Sequence, residues 1–150
     1  MSGAMKREGT IASLGTLVEL RSMDVDRLQA DLASQEATRT RYQNNLARMD
    51  ALATGSGATG ALPMALALNC GAYKQNVMAM ADLHRTDLAL HEANMAVAQR
   101  KLTDAYTRRE LLGKVLEQQQ VAHAREQDRV QRKREDEIAT QSWMAGRPSA

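Results

Sequence analysis

The sequence predicts an all-α fold: a long antiparallel coiled-coil hairpin of two helices with an overhanging C-terminal helix. Three observations predict it. A seam runs out along Leu14, Val18, Arg21, Val25, Leu28, Leu32, Gln35, Arg39, Tyr42, Leu46, Met49 and Ala53, with the alternating three and four spacing of a and d positions. A second seam returns along Leu66, Cys70, Tyr73, Val77, Met80, His84, Leu88, His91, Met95, Ala98, Leu102 and Ala105. Between them lies the only clear breaker, Thr54-Gly-Ser-Gly-Ala-Thr-Gly60.

Each element follows from local signals. Residues 1–10 are polar and are expected to be flexible. Helix one is expected over about 11–53, with Thr16-Leu-Val-Glu19 in capping-box form and Gly55 placed for a left-handed C-cap. The loop covers 54–62. Pro63 suits the first turn of helix two, which runs to about residue 143 with no strong breaker before Gly146-Arg-Pro148, leaving 144–150 as a flexible end. Gly71 and Gly113 only lower its stability. Spacing of four and four across Met80, His84 and Leu88 predicts a stutter, which locally unwinds a supercoil.

A turn centred near residue 59 or 60 sets the register. It pairs Ala53 with Leu66, Met49 with Cys70, Leu46 with Tyr73, Tyr42 with Val77, Arg39 with Met80 and Gln35 with His84. Helix one is then used up opposite about Arg109. The stretch from there to Trp143 keeps only sparse apolar positions among charges and glutamines, with Asp128 and Arg132 spaced for an i,i+4 ion pair. A helix of this kind cannot bury a face alone.

Composition narrows the function. With 150 residues the chain is one domain at most. Apolar residues reach 43% but aromatics only 3%, with Phe absent, which suits a narrow seam and not a thick core. The net charge of +2, with signs interspersed, does not argue for nucleic acid. Arg132-Lys-Arg134 is followed at once by Glu135-Asp-Glu137, which would repel phosphates. A single cysteine, Cys70, excludes an internal disulfide and fits a reducing compartment. The first residues lack an apolar leader core, and Ala61–Leu68 is too short to span a bilayer, so a cytoplasmic protein is expected.

Catalytic and metal patterns are absent from the sequence. There is no phosphate loop, no nucleophile elbow and no H-E-x-x-H. His84, Asp87 and His91 share helical spacing, yet both histidines fall on the seam, so neither a metal nor another cofactor is expected. The odd stretch is Gln35–Leu46, where Gln35, Arg39 and Tyr42 interrupt the seam opposite Tyr73 and His84. It reads equally as snorkelling seam or as a docking patch near the hairpin tip.

Arg41-Tyr-Gln-Asn-Asn-Leu46 resembles a segment of the FliJ family of the flagellar type III export apparatus. Leu111-Leu-Gly-Lys-Val-Leu-Glu-Gln-Gln-Gln120 and Arg125 through Glu137 resemble the family's distal helix, and the resemblance covers nearly the whole chain. It implies a non-enzymatic cytoplasmic stalk in the ring of the hexameric export ATPase FliI, peripheral to the inner membrane, which contacts the export gate protein FlhA and recycles export chaperones. The resemblance implies gate binding at Gln35, Arg39, Tyr42, Leu46, Tyr73, Val77, Met80 and His84. Arg39 stands where the family has an apolar residue and Leu46 where it has an aromatic one. In such a stalk, Arg125, Arg129, Arg132 and Lys133 are the expected contacts to the ATPase ring. The alternatives are an injectisome stalk of the YscO type and a generic coiled-coil scaffold.

Overall fold

The computed structural model describes residues 2–55 and 63–147. Helix α1 spans Ser2–Gly55 and helix α2 spans Met64–Ala145; they pack against each other as a helical hairpin, with no strand among the described residues. Two units are distinguished: Val25–Asp104, and Met1–Asp24 with Ala105–Ala150.

The α1 seam is where the spacing puts it. Every predicted position from Leu14 to Ala53 is half-buried or buried, and Val25 is 1% exposed. The helix starts earlier than the sequence suggested, at Ser2, because the seam continues upstream through the half-buried Arg7 and Ile11. Residues tied down by packing remain ordered. Thr16 is therefore an interior residue and no cap; its hydroxyl donates to the Ala12 carbonyl at 3.2 Å, the back-bonding typical of Thr inside helices. Thr54 and Gly55 are helical too, and Gly55 shows no left-handed φ, so the expected C-cap is not there. The rest of the expected loop, 56–62, lies outside the described residues.

Pro63 immediately precedes α2, and its carbonyl accepts from the amides of Leu66 at 2.9 Å and Ala67 at 3.0 Å. Proline costs nothing there, since its missing N–H would have no intrahelical partner. At the other end α2 reaches Ala145, two residues beyond expectation, and the Arg147 guanidinium lies 4.2 Å over the Trp143 ring. The last residues of the expected flexible end, 148–150, lie outside the described residues.

The α2 seam departs from the sequence reading near its start. Ala81, 2% exposed, occupies the place expected for Met80, and the sequence Val77, Ala81, His84, Leu88, His91, Met95 alternates without interruption. The stutter is absent. A methyl side chain at position 81 lets the two backbones approach where the longer Met80 is turned outward. Leu66 and Tyr73 are likewise exposed.

The register differs as well. Arg39 meets Glu92 at 3.0 Å, Asp50 meets Arg85 at 2.8 Å, and His91 meets the Gln35 carbonyl at 2.8 Å. Relative to the expected pairing α2 is shifted by about eleven residues, or roughly three helical turns. At the far end Glu8 faces His123 at 3.6 Å. Half-buried positions on α2 accordingly continue through Arg109, Leu112, Leu116 and Gln119 to Glu126. The unpartnered segment starts near Gln127 and not near Arg109, because α1 is longer and paired further along than the sequence suggested.

Candidate functional site

Within the Val25–Asp104 unit the seam turns polar around Tyr42. Its ring lies 4.7 Å from the imidazole of His84 and 5.7 Å from that of His91, tilted by 47° and 37°. Tyr42 therefore inserts between two histidines two turns apart on α2. The Nε2–H of His91 donates to the Gln35 carbonyl, which fixes the proton on that nitrogen. Arg39 donates from Nε to Glu92 and from Nη1 to Glu36 at 3.3 Å. The Glu92 hydrogen bond foremost, then the Glu36 and Glu92 charges, push the Arg39 guanidinium above its ordinary value.

Two atoms in this cluster are buried with no hydrogen-bond partner: Gln35 Oε1 and His84 Nε2. An unpaired buried polar atom typically costs about 1–3 kcal/mol. Polar residues in a coiled-coil seam can fix one register, and here Arg39 with Glu92 and His91 with the Gln35 carbonyl define which turn of α1 meets which turn of α2. Asp50, Arg85 and Asp82 form a second polar clasp across the pair, with Arg85 donating to both carboxylates. Among the described residues no group of His, Cys, Asp or Glu is arranged to hold a metal ion.

The predicted gate-binding set is only partly brought together. Gln35, Arg39, Tyr42 and His84 share this cluster, and Leu46 is half-buried one turn further along α1. Val77 is buried. Tyr73 and Met80, 48% and 57% exposed, stand on the open face of α2. Tyr73 lies about 16 Å along the helix from His84, given eleven residues at 1.5 Å each. It is not level with Tyr42, because the register slides α2 past it. Sequence reasoning missed Glu92, Asp50 and Arg85 as partners. Only a correct register would have found them, since salt-bridge residues on helix flanks carry no periodic signal.

In the unit containing Ala105–Ala150, the four residues expected at the ATPase ring lie on one face. Arg125, Arg129, Arg132 and Lys133 line a shallow groove with Asp128 and Asp136. Arg129 pairs with Glu126 at 2.8 Å and Arg132 with Asp128 at 3.0 Å. The Arg129 guanidinium, by hydrogen bond and by charge, holds the Glu126 carboxyl below its ordinary range. Every side chain from Gln127 to Arg147 is exposed.

Two helices of unequal length and a narrow seam clasped by polar side chains define a two-helix coiled-coil protein. The model of one family, described as Flagellar FliJ protein, matches residues 10–147. The chain belongs to the FliJ family, and membership implies a flagellar, export-related role. No curated protein and no solved structure matches the chain. Among the described residues no helix is long and apolar enough to cross a membrane.

Proposed function

We propose that this chain is a non-enzymatic coiled-coil stalk of the flagellar type III export apparatus, standing in the ring of the export ATPase FliI at the cytoplasmic face of the inner membrane. One observation carries the reading beyond family membership. From Gln127 onward α2 continues with no buried side chain, yet it is held helical by charge pairs. A solvated helix of alternating sign fits a polar pore, where many weak contacts permit grip without locking. Arg125, Arg129, Arg132 and Lys133 are the proposed ring contacts.

The Val25–Asp104 unit is proposed to dock on the export gate protein FlhA. Of the expected set, Tyr73 and Met80 have the exposure that contact requires, while Gln35, Arg39, Tyr42, Leu46, Val77 and His84 act by holding the helices in place. Binding of empty export chaperones belongs to the same proposal and rests on family membership alone.

Truncation after Gln127 tests the stalk. The shortened chain should keep its helical seam and bind FlhA, and it should lose stimulation of the FliI ATPase. Full stimulation by the truncated chain would refute ring insertion. For the gate, Tyr73→Ala with Met80→Ala should weaken FlhA capture at unchanged helix content.

A further inference from the structure

One face of α2 presents a second heptad stripe, a position before the seam. Leu66, Tyr73, Met80, Leu83, Leu90 and Val97 are its apolar members, 48–70% exposed. Asn69, Asn76, Asp87 and Asn94 complete it, all exposed, so that the whole run alternates three and four from residue 66 to 97. The face lies wholly in the Val25–Asp104 unit. Isolated exposed hydrophobic residues are ordinary, but six at coiled-coil spacing form a ready seam for another helix.

The stripe is complementary to itself when reversed. Laid antiparallel on a second copy, with the two-fold axis between Met80 and Leu83, it pairs Leu66 with Val97, Tyr73 with Leu90 and Met80 with Leu83. The same alignment pairs Asn69 with Asn94 and Asn76 with Asp87. Apolar meets apolar and polar meets polar at every level, and each a position faces a d position, as antiparallel coiled coils require. A parallel alignment would set Asp87 against Asp87, two like charges at one level. Antiparallel, the Asp87 carboxylate accepts from the Asn76 side-chain amide.

The flanks agree. On the side away from α1 stand Ala72, Ala79, Thr86 and Ala93, all exposed and short enough to let a second backbone come close. At the same level α1 offers no competing stripe: of its flanking positions Ser34, Thr38, Arg41, Asn45 and Arg48 are polar, and Leu52, 51% exposed, is apolar. Six large side chains at on the order of 100 Å² each give about 600 Å² per copy. The asparagines and alanines bring this to the roughly 800 Å² per partner of a stable interface.

We propose that the Leu66–Val97 face of α2 is a self-association surface, on which a second copy of this chain packs α2 against α2, antiparallel, about a two-fold axis. The pairing covers Tyr73 and Met80. Self-association and gate docking through these two side chains therefore exclude one another at any moment, and the dimer is tested at Leu83, Leu90, Asn69 and Asn94, which are not among the proposed gate contacts.

Sedimentation equilibrium of the full chain over a range of concentrations tests it. The mass should rise from 16.5 kDa toward twice that value. Leu83→Asp with Leu90→Asp should weaken the dimer more than about thirtyfold at unchanged helicity, since both side chains already face solvent. In a Cys70→Ser background, Asn69→Cys protein mixed with Asn94→Cys protein should form a disulfide between copies, and neither alone should. A chain that stays monomeric at every concentration overturns the proposal and leaves the stripe to a helix of another protein. A dimer indifferent to the Leu83 and Leu90 changes, or one crosslinked through Asn69→Cys alone, overturns it as well.

Discussion

The two units of this chain use the same heptad repeat to different ends. In Val25–Asp104 the seam is pinned by polar contacts: Arg39 to Glu92, Asp50 to Arg85, His91 to the Gln35 carbonyl, and Tyr42 between two imidazoles. In the other unit Glu8 reaches His123 at 3.6 Å beside the apolar seam, and beyond Glu126 every described side chain of α2 is exposed. Apolar periodicity chooses which face is buried. Polar residues choose which turn meets which. Where both are missing, the helix is simply a surface, stabilised locally by pairs such as Arg132 with Asp128.

Substitutions can break this contrast at either unit. The largest effect belongs to Val25, buried to 1% exposure. Val25→Asp should cost at least about 3 kcal/mol, since a carboxylate placed there loses its hydration, and thermal unfolding followed by circular dichroism should show it. Tyr42→Ala should cost about 1–3 kcal/mol and should also loosen the register, read as faster amide exchange around Gln35 and His91. Arg39→Ala removes an exposed bridge and should cost less than about 1 kcal/mol. Truncation after Gln127 should leave the unfolding midpoint within about 0.5 kcal/mol of the full chain, because every described side chain it removes is exposed. A large loss there would mean that the distal helix supports the seam.

The smallest effect is electrostatic. Glu126 has a carboxyl pKa depressed by Arg129. Its contribution is therefore present above the ordinary carboxylate range and fades as pH falls through the lowered folded value. Arg129→Ala should move the Glu126 titration midpoint upward in an NMR experiment. An unmoved midpoint would show that the pair is not formed in solution.

Much of the fold was legible because burial has a period. The α1 seam could be read position by position, and so could α2 from His84 onward. The register was not legible. A heptad seam fits itself again after each repeat, so a short central loop was the only guide, and it pointed about three turns away. That one error carried others with it. It sets Tyr73 level with Tyr42 and starts the overhang at Arg109, whereas the seam places of Met80 and Tyr73, and the stutter, follow from the α2 spacing itself. The candidate site was legible as a place, the polar interruption at Gln35, Arg39, Tyr42 and His84. Its partners were not, because Glu92 and His91 enter it only once the helices are slid into place.

The register is open to direct measurement. Spin labels at Asp50→Cys and Arg85→Cys, in a Cys70→Ser background, should couple strongly through space, since these side chains meet at 2.8 Å in the native chain. Labels at Asp50→Cys and Asn69→Cys should be separated by more than about 20 Å along the helix and couple weakly. Strong coupling between 50 and 69, with weak coupling between 50 and 85, would contradict the register and every contact that rests on it.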